Sequence, residues 1–297
     1  MHTYYPKTVW TRLFDLFNCL ALFLFSFLVL FPFWNQICIS ASNLKVYSMK
    51  DVVWLPIDFN LEAYQMALTD VRIGKAALIS VLRVLVGTTT SLFCTGLLAY
   101  VTTIRWFRGA KYLRRIFLFT MYFSGGMIPT YLAYINLGLF NSFWVYIVPS
   151  LINAYYMLLI ASYIAGLPDA LTEAARIDGA SELRIYIRLI IPICVPVFAA
   201  ISVYTAVYHW NAWFDTTLYV PSGDWDTLQI YLRRILLEVE AFSKIEDAST
   251  AYAKFKSLAP QSMRAAVTII ATVPIVIVYP LLQRYFITGI TIGSVKQ

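Results

Sequence analysis

Charged side chains are scarce in this 297-residue chain, in which Asp, Glu, Lys and Arg together make up 13% of the residues. Soluble domains carry about a quarter charged residues. Hydrophobic residues make up 60% of the chain and aromatic residues 16%. The composition excludes an ordinary soluble fold and indicates an integral membrane protein, in which aromatic rings suit membrane interfaces or a pathway.

Motifs for covalent chemistry are absent too. The sequence has no G-x-x-x-x-G-K-[ST] phosphate loop, no G-x-S-x-G elbow and no H-E-x-x-H pair. Its two histidines, His2 and His209, are too few for a metal cluster. The cysteines lie among apolar residues without C-x-x-C spacing, which favours buried hydrophobes over a disulfide or metal site. They are Cys19, Cys38, Cys94 and Cys194. We therefore expect no catalytic residue, metal or cofactor in this chain.

Long apolar runs dominate the sequence and predict six transmembrane helices in one all-α membrane domain over 1–297. Each run is long enough to cross a hydrocarbon core of about 30 Å, and spanning segments must satisfy their backbone internally. The predicted spans cover 13–34, 76–102, 116–136, 143–165, 191–213 and 265–286. The first lacks a small-residue cleavage site, so we do not expect a signal peptide.

The net charge of +7 is explained by topology rather than by nucleic-acid binding. Basic residues crowd into short loops, and residues 105–115 hold five of them with no acid: Arg105, Arg108, Lys111, Arg114 and Arg115. Short loops rich in Lys and Arg lie on the cytoplasmic side. The same rule places both termini and the loop 167–190 in the cytoplasm, and the longer loops 35–75 and 214–264 outside.

The loop between the fourth and fifth predicted spans is polar and predicts a helical hairpin. Glu173 lies in the first turns of its first helix, where the helix dipole favours negative charge. Ala174, Ala175 and Asp178 share one face of that helix, and the small side chains allow another surface to approach. Gly179 suits the left-handed position that ends a helix.

The fifth predicted span carries groups that suit a sugar pathway. Tyr204, Tyr208 and Asn211 offer aromatic faces and hydrogen-bonding side chains, although rings at a span end also form interface belts. Arg83 is the clear charge well inside a predicted span. Because intramembrane charge is costly, Arg83 faces a polar pathway, reaches the outer surface by snorkelling, or serves the protein's own fold.

Four blocks of this sequence resemble permease subunits of bacterial ABC importers. In chain order they are 122–131 (YFSGGMIPTY); Glu173-Ala174-Ala175 with Gly179 and Ile191-Pro192; 209–214 (HWNAWF); and 279–289 (YPLLQRYFITG) with Gly293. The second block resembles the EAA loop of these permeases. The others resemble the oligosaccharide branch of the second permease of maltose-type importers. The nearest relatives in it handle longer or acidic oligosaccharides, such as alginate or aldouronate fragments. The resemblance covers nearly the whole chain.

The resemblance implies a type I importer fold in which 167–190 forms a coupling helix that docks on a cytoplasmic ATPase. It implies that Glu173 is the charged contact, that Ala174 and Ala175 permit close packing, and that Gly179 sets the turn beside Asp178. The implied partners are a related permease in a heterodimer, two ATPase subunits that bind ATP and Mg²⁺, an extracytoplasmic binding protein and the bacterial inner membrane.

Two other function classes stay open from the residues alone. A secondary transporter driven by an ion gradient would usually show internal repeats or paired intramembrane acids, and a membrane enzyme for lipid-linked sugars would need an acid, histidine or metal cluster. The sequence shows neither pattern. For the importer, the substrate is expected to be an oligosaccharide. Arg83 and the pair Arg233 and Arg234 would favour an acidic one, whereas local acids that pair with them would leave its charge open.

Overall fold

The computed structural model describes residues 8–44, 49–69, 71–243 and 260–294. Regular structure within them is helical, apart from one isolated antiparallel bridge between Ser42 and Phe59. The α-helices are α1 Val9–Ser40, α2 Glu62–Thr69, α3 Val71–Thr103, α4 Ala110–Tyr122, α5 Met127–Asn136, α6 Ala154–Ile164, α7 Asp169–Ile177, α8 Glu182–Ile185, α9 Ile191–Ile193, α10 Val195–Asn211, α11 Phe214–Tyr219, α12 Leu228–Ser243 and α13 Pro260–Ser294. Short 3₁₀ turns cover Met49–Asp51, Phe143–Tyr146 and Val148–Ser150, and a π-helical turn covers Tyr186–Ile190.

The described helices agree with most of the predicted spans. Within the described residues, three segments are long and apolar enough to cross a membrane: α1, α3 and the Gln261–Val278 part of α13. Two bent pairs raise the number to five if each pair is one span. They are Phe143–Ser150 with α6, bent by 44°, and Glu182–Ile193 with α10, bent by 85°.

The third predicted span, 116–136, is interrupted. Helix α4 ends at Tyr122 and α5 begins at Met127. Between them Gly126 has a φ of +90°, which L side chains rarely adopt, and its N–H donates to Ser124 Oγ at 3.3 Å. The two helices have 13 and 10 residues, and each is shorter than the ~20 residues that a spanning helix needs. The total of six spans therefore stays a prediction.

The described residues fall into two compact units, one within 1–70 and 235–270 and the other within 71–234 and 271–297. The single domain over 1–297 stays a prediction. In the first unit, most of α1 is exposed, whereas Cys38 and Ile39 at its end are buried with Val52 and Ala265. A largely exposed apolar helix is what a lipid-facing span requires.

Helix α3 is the centre of the second unit, where it packs against α6 and α10. Two glycines permit these close contacts. A Cβ at Gly87 would lie 2.5 Å from Nε2 of His209, and a Cβ at Gly96 would lie 2.5 Å from the hydroxyl of Tyr186. In membranes, burial of apolar side chains contributes little to helix association, because the lipid is apolar as well. Helices there pack closely through small residues.

Arg83 of α3 is fully buried, with 0% of its surface exposed. Its guanidinium forms a bidentate ion pair with Asp215 of α11, and Nη1 lies 3.1 Å from Oδ1. It also lies over the ring of Tyr146, 4.3 Å from the centroid. Because a buried charge needs a partner and hydrogen bonds, these contacts explain how α3 holds an arginine within an apolar run.

Candidate functional sites

The polar loop forms the helical hairpin that its sequence predicts. Pro168 is the N-cap of α7, and Asp169 follows in its first turn. The helix ends at Ile177, and Gly179 has a φ of +77°. The second helix, α8, begins after Ser181, whose Oγ accepts the N–H of Arg184 at 3.4 Å. A glycine in the left-handed region ends a helix without steric cost.

A charged bridge joins the two helices of this hairpin. Arg176 Nε donates to Glu182 Oε1 at 2.8 Å, and the hydroxyl of Tyr100, near the end of α3, donates to Glu182 Oε2. Because Arg176 hydrogen-bonds to it, the Glu182 carboxyl has a pKa below its usual value, and the same bond raises the pKa of Arg176. The bridge connects α7 and α8 to the end of α3.

The exposed face of α7 differs from the predicted one in one residue. Glu173, Ala174, Asp178 and Gly179 are exposed, whereas Ala175 is partly buried and packs against the chain's own core. That Ala174 and Ala175 permit close packing of another surface stays a prediction. Ile177, which no sequence pattern singles out, is 86% exposed.

A groove of about 410 Å³ runs beside α7. Glu173 and Asp169 line it from α7, and Arg105 and Arg114 line it from the basic segment after α3. Arg105 forms an exposed ion pair with Asp169. The groove thus joins the two stretches that the charge pattern places in the cytoplasm.

A second concavity, a cleft of about 430 Å³, lies among α3, α5, α6, α10 and α11. We call it the α10 cleft. Its lining is polar and aromatic, with hydroxyl, amide, imidazole and carboxylate groups. The lining residues are Ser91, Tyr134, Val145, Tyr146, Pro149, Ser150, Ile152, Asn153, Tyr156, Thr205, Tyr208, His209, Asp215 and Tyr219. Aromatic faces together with a few convergent polar groups are typical of small-molecule sites.

The predicted pathway residues of the fifth span lie on one face of α10, but they do not all line the α10 cleft. Tyr204 and Tyr208 are 57% and 59% exposed, and Asn211 is exposed as well. Of these three, Tyr208 lines the α10 cleft and the other two do not. Thr205 follows Tyr204 in the sequence and His209 follows Tyr208. Both are buried and line the cleft.

The arginines that suggested an acidic substrate have partners within the chain. Arg83 is buried and paired with Asp215, so snorkelling does not apply, and it does not line the α10 cleft. Its contact with substrate stays a prediction. Arg234 pairs with Asp226, and Arg233 lies over Trp213 at 3.7 Å from the ring centroid. The expected acidic partners Glu246 and Asp247 lie outside the described residues, as do the side chains of Glu238 and Glu240.

Relatives of this chain cover nearly all of it. The polygalacturonan/rhamnogalacturonan transport system permease protein YtcP of Bacillus subtilis is 34% identical over 286 residues, which are 96% of this chain and 99% of that protein. This chain belongs to the permease subunits of carbohydrate ABC importers. Protein LplC of the same organism is also 34% identical, over 96% of this permease and 95% of LplC. No protein-family model matches the permease.

A solved structure has the same fold. It is the crystal structure of a bacterial ABC transporter involved in the import of the acidic polysaccharide alginate. One of its chains superposes with a TM-score of 0.83 and 26% sequence identity, over 94% of this permease and 99% of that chain. The membership confirms the predicted family and decides against a secondary transporter and a lipid-linked sugar enzyme. The permease subunit is non-catalytic, because ATP hydrolysis belongs to a separate subunit.

Sequence reasoning missed three residues of these sites. Asp215 directly follows both the fifth predicted span and the block 209–214, and an acid at that position could be matched to the intramembrane Arg83. The sequence excludes His209 from a metal cluster but does not indicate that it lines the cleft. Nothing in the local sequence indicates that Glu182 accepts hydrogen bonds from both Arg176 and Tyr100.

Proposed function

We propose that this permease pairs with a related permease, and that the two line a path across the bacterial cytoplasmic membrane for an oligosaccharide. Two ATPase subunits, which bind ATP and Mg²⁺, drive the path between its inward-facing and outward-facing states. An extracytoplasmic binding protein delivers the sugar. Both termini and residues 105–115 lie in the cytoplasm. The bias of Lys and Arg toward short loops supports this orientation.

The observation that carries the proposal is the geometry of α7. This nine-residue helix presents Glu173, Ala174 and the apolar Ile177 to solvent, while Ala175 holds it to the chain's own core. An exposed isoleucine beside a small residue and a charge fits a partner groove that takes one apolar side chain and one ion pair. We propose that α7 is the coupling helix and that Glu173 meets a basic residue of the ATPase.

A rigid hairpin is needed if α7 is to pass a displacement to the membrane helices. The bridge from Arg176 through Glu182 to Tyr100 supplies one connection, because it joins α7 and α8 to the end of α3. Helix α3 in turn packs along α6 and α10. A push on α7 would therefore reach the helices that surround the α10 cleft.

The path is proposed to run along the exposed face of α10, with Tyr204, Tyr208 and Asn211 as contacts. Relatives support the kind of cargo. YtcP is named for polygalacturonan and rhamnogalacturonan, and the solved transporter is described for the acidic polysaccharide alginate. These names favour an oligosaccharide that carries carboxylates. Arg83 adds nothing to that argument, since its charge is matched by Asp215.

The test is to express the permease with the subunits that co-purify with it and to reconstitute the complex in proteoliposomes. Uptake and ATPase stimulation are measured with the binding protein and with matched neutral and uronate oligosaccharides. Glu173→Lys should abolish both activities while the permease still inserts. Asp224→Lys reverses the charge of an exposed acid far along the chain, so it serves as the matched control.

Two results would overturn the proposal. If no ATPase subunit co-purifies, the permease is not driven in this way. If Glu173→Lys transports sugar and stimulates ATP hydrolysis as well as Asp224→Lys does, α7 is not the coupling helix. Stimulation by neutral oligosaccharides alone would reject only the carboxylate part of the substrate and leave the importer in place.

A further inference from the structure

The five cations of the basic segment 105–115 fall into two groups. Arg105 forms an ion pair with Asp169, and Arg114 Nη2 donates to Thr102 O at 3.3 Å. Both of these arginines line the groove beside α7. The remaining three, which we call the outer cations of α4, are Arg108, Lys111 and Arg115. They are exposed, and they make no ion pair or hydrogen bond within the described part of the chain.

The sequence supplies the outer cations with no acid close by. Between positions 71 and 168 it contains neither Asp nor Glu. Lys111 and Arg115 lie four positions apart on α4, and Arg108 lies in the turn just before this helix. Like charges at a spacing of four repel each other on a helix surface. A bound anion would remove this repulsion.

An exposed apolar stripe runs along α4 beside the outer cations. Tyr112, Ile116 and Phe119 follow one another at helical spacing, and each is more than half exposed. The ring of Phe119 stacks on that of Phe123, with 5.2 Å between the centroids, so the stripe continues past the end of the helix. Trp106, before the helix, is exposed as well. Trp and Tyr are enriched where a membrane helix meets the headgroup layer.

The cations and the stripe together require an amphipathic partner. The cations need an anion, and the stripe needs an apolar surface directly beside that anion. A soluble ATPase supplies acids, but it does not cover apolar side chains that continue into the predicted span 116–136. An anionic phospholipid carries a phosphate and acyl chains in one molecule. Clusters of Lys and Arg at the cytoplasmic end of a membrane helix bind lipids of this kind.

We propose that the outer side of α4 is a binding site for an anionic phospholipid. The outer cations hold the phosphate, Tyr112 lies at the level of the headgroup, and an acyl chain packs along Ile116 and Phe119. Arg105 and Arg114 stay in the groove beside α7, so the lipid does not compete with their contacts. The proposal does not rest on the proposed importer function, because it concerns lipid binding by the membrane subunit alone.

The test places a fluorophore in the site and measures which lipid touches it. In a background without the four native cysteines, Ile116→Cys is labelled with bimane and the purified complex is reconstituted in phosphatidylcholine vesicles. A fixed minor fraction of the lipid is either phosphatidylglycerol or phosphatidylcholine with brominated acyl chains, which quench the label on contact. Both lipids enter both leaflets, so the result does not depend on the orientation of the complex.

Brominated phosphatidylglycerol should quench the label at position 116 more strongly than brominated phosphatidylcholine does. Each Lys or Arg near an anionic lipid strengthens binding about fivefold, so three cations should give a preference of about tenfold or more. Arg108→Gln, Lys111→Gln and Arg115→Gln together should abolish the preference.

A single substitution and its matched control assign the preference to α4. Lys111→Gln should lower the preference about fivefold. Lys75→Gln should leave it unchanged, because Lys75 is likewise an exposed lysine on a helix but lies on α3, at the end predicted to be external. If the triple variant fails to assemble with the other subunits, Lys111→Gln decides the question.

Equal quenching by the two brominated lipids would overturn the proposal. Absence of quenching by either lipid would overturn it too, and would show that protein, such as the partner permease, covers α4. A preference that persists in the triple variant, or an equal loss in Lys111→Gln and Lys75→Gln, would reject the outer cations as the site. ATP hydrolysis by the same vesicles with binding protein and sugar tests the importer function separately.

Discussion

Arg83 on α3 and Asp215 on α11 form a bidentate ion pair across 132 positions of sequence, with Arg83 completely buried. The pair brings the second predicted span together with the segment after the fifth. Tyr146 covers the guanidinium and donates its own hydroxyl to Trp225 O at 2.8 Å. Three separate parts of the chain thus meet at one buried cation, beside the α10 cleft.

Removal of the acid of this pair should cost more stability than removal of the base. Asp215→Asn leaves a fully buried cation without its partner, and breaking a buried pair in this way costs about 3 kcal/mol or more. Arg83→Met leaves Asp215, which keeps 22% of its side chain exposed and so retains some water. The midpoint of thermal unfolding should fall in the order wild type, Arg83→Met, Asp215→Asn. The reverse order would show that Arg83 has other compensation.

Replacement of either closely packed glycine of α3, Gly87 or Gly96, by alanine should destabilise the permease. Gly87→Ala and Gly96→Ala place a Cβ 2.5 Å from His209 and from Tyr186, and overpacking of this kind costs about 1–3 kcal/mol. Gly74 lies on the same helix with nothing within 4 Å, so Gly74→Ala should be neutral or stabilising. Thermal unfolding of the three variants measures the difference. Equal midpoints would mean that α6 and α10 move aside without cost.

The bridge between Arg176 and Glu182 should hold α7 in place throughout the physiological pH range. Because the pKa of Glu182 is lowered by Arg176, its contribution is complete above the ordinary glutamate pKa of about 4.3. It is lost only when the pH falls through the lowered folded-state value. Between about pH 6 and pH 8 the bridge should therefore not titrate.

Glu182→Gln should loosen the same hairpin at every pH in that range. The side chains of both partners are about one-third exposed, so the lost contribution is at most about 1 kcal/mol. Hydrogen exchange of the α7 amides in the purified complex, corrected for the intrinsic rate, measures it. Exchange should rise in Glu182→Gln and stay unchanged in Glu173→Gln, where the exposed carboxylate has no such bridge to lose. Equal exchange in both variants would exclude the bridge as the link to α3.

Labelling from outside intact cells should distinguish the two sides of the membrane. In a background without the four native cysteines, Asp224→Cys should react with an impermeant maleimide and Arg108→Cys should react only after lysis. The bias of basic residues is the reason for this expectation. Reaction of position 108 in intact cells would invert the proposed topology.

The sequence predicts the parts of this permease that depend on local rules. The length of the apolar runs predicts α1 and α3, and Gly179 predicts the end of the first helix of the hairpin, because these features depend only on neighbouring residues. The apolar run 116–136 predicts one span, whereas the structure separates it into α4 and α5 at Gly126. The ion pair of Arg83 and the cleft around His209 depend on contacts over long sequence distances, which no local pattern encodes.

Tyr208 should matter more to transport than Tyr204, although both lie exposed on one face of α10. Tyr208 lines the α10 cleft and Tyr204 does not. A ring that packs on a sugar contributes about 1 kcal/mol, which corresponds to roughly fivefold in transport rate. Uptake by Tyr208→Ala, normalised to the amount of permease in the membrane, should fall by that factor, and uptake by Tyr204→Ala should fall less.

Tyr155→Ala is the control, because Tyr155 is 55% exposed on α6 and lies outside the cleft. A ring that only anchors the membrane interface would lower the amount of inserted permease and leave normalised uptake intact. If Tyr208→Ala transports as well as Tyr155→Ala, the sugar does not pass this face of α10.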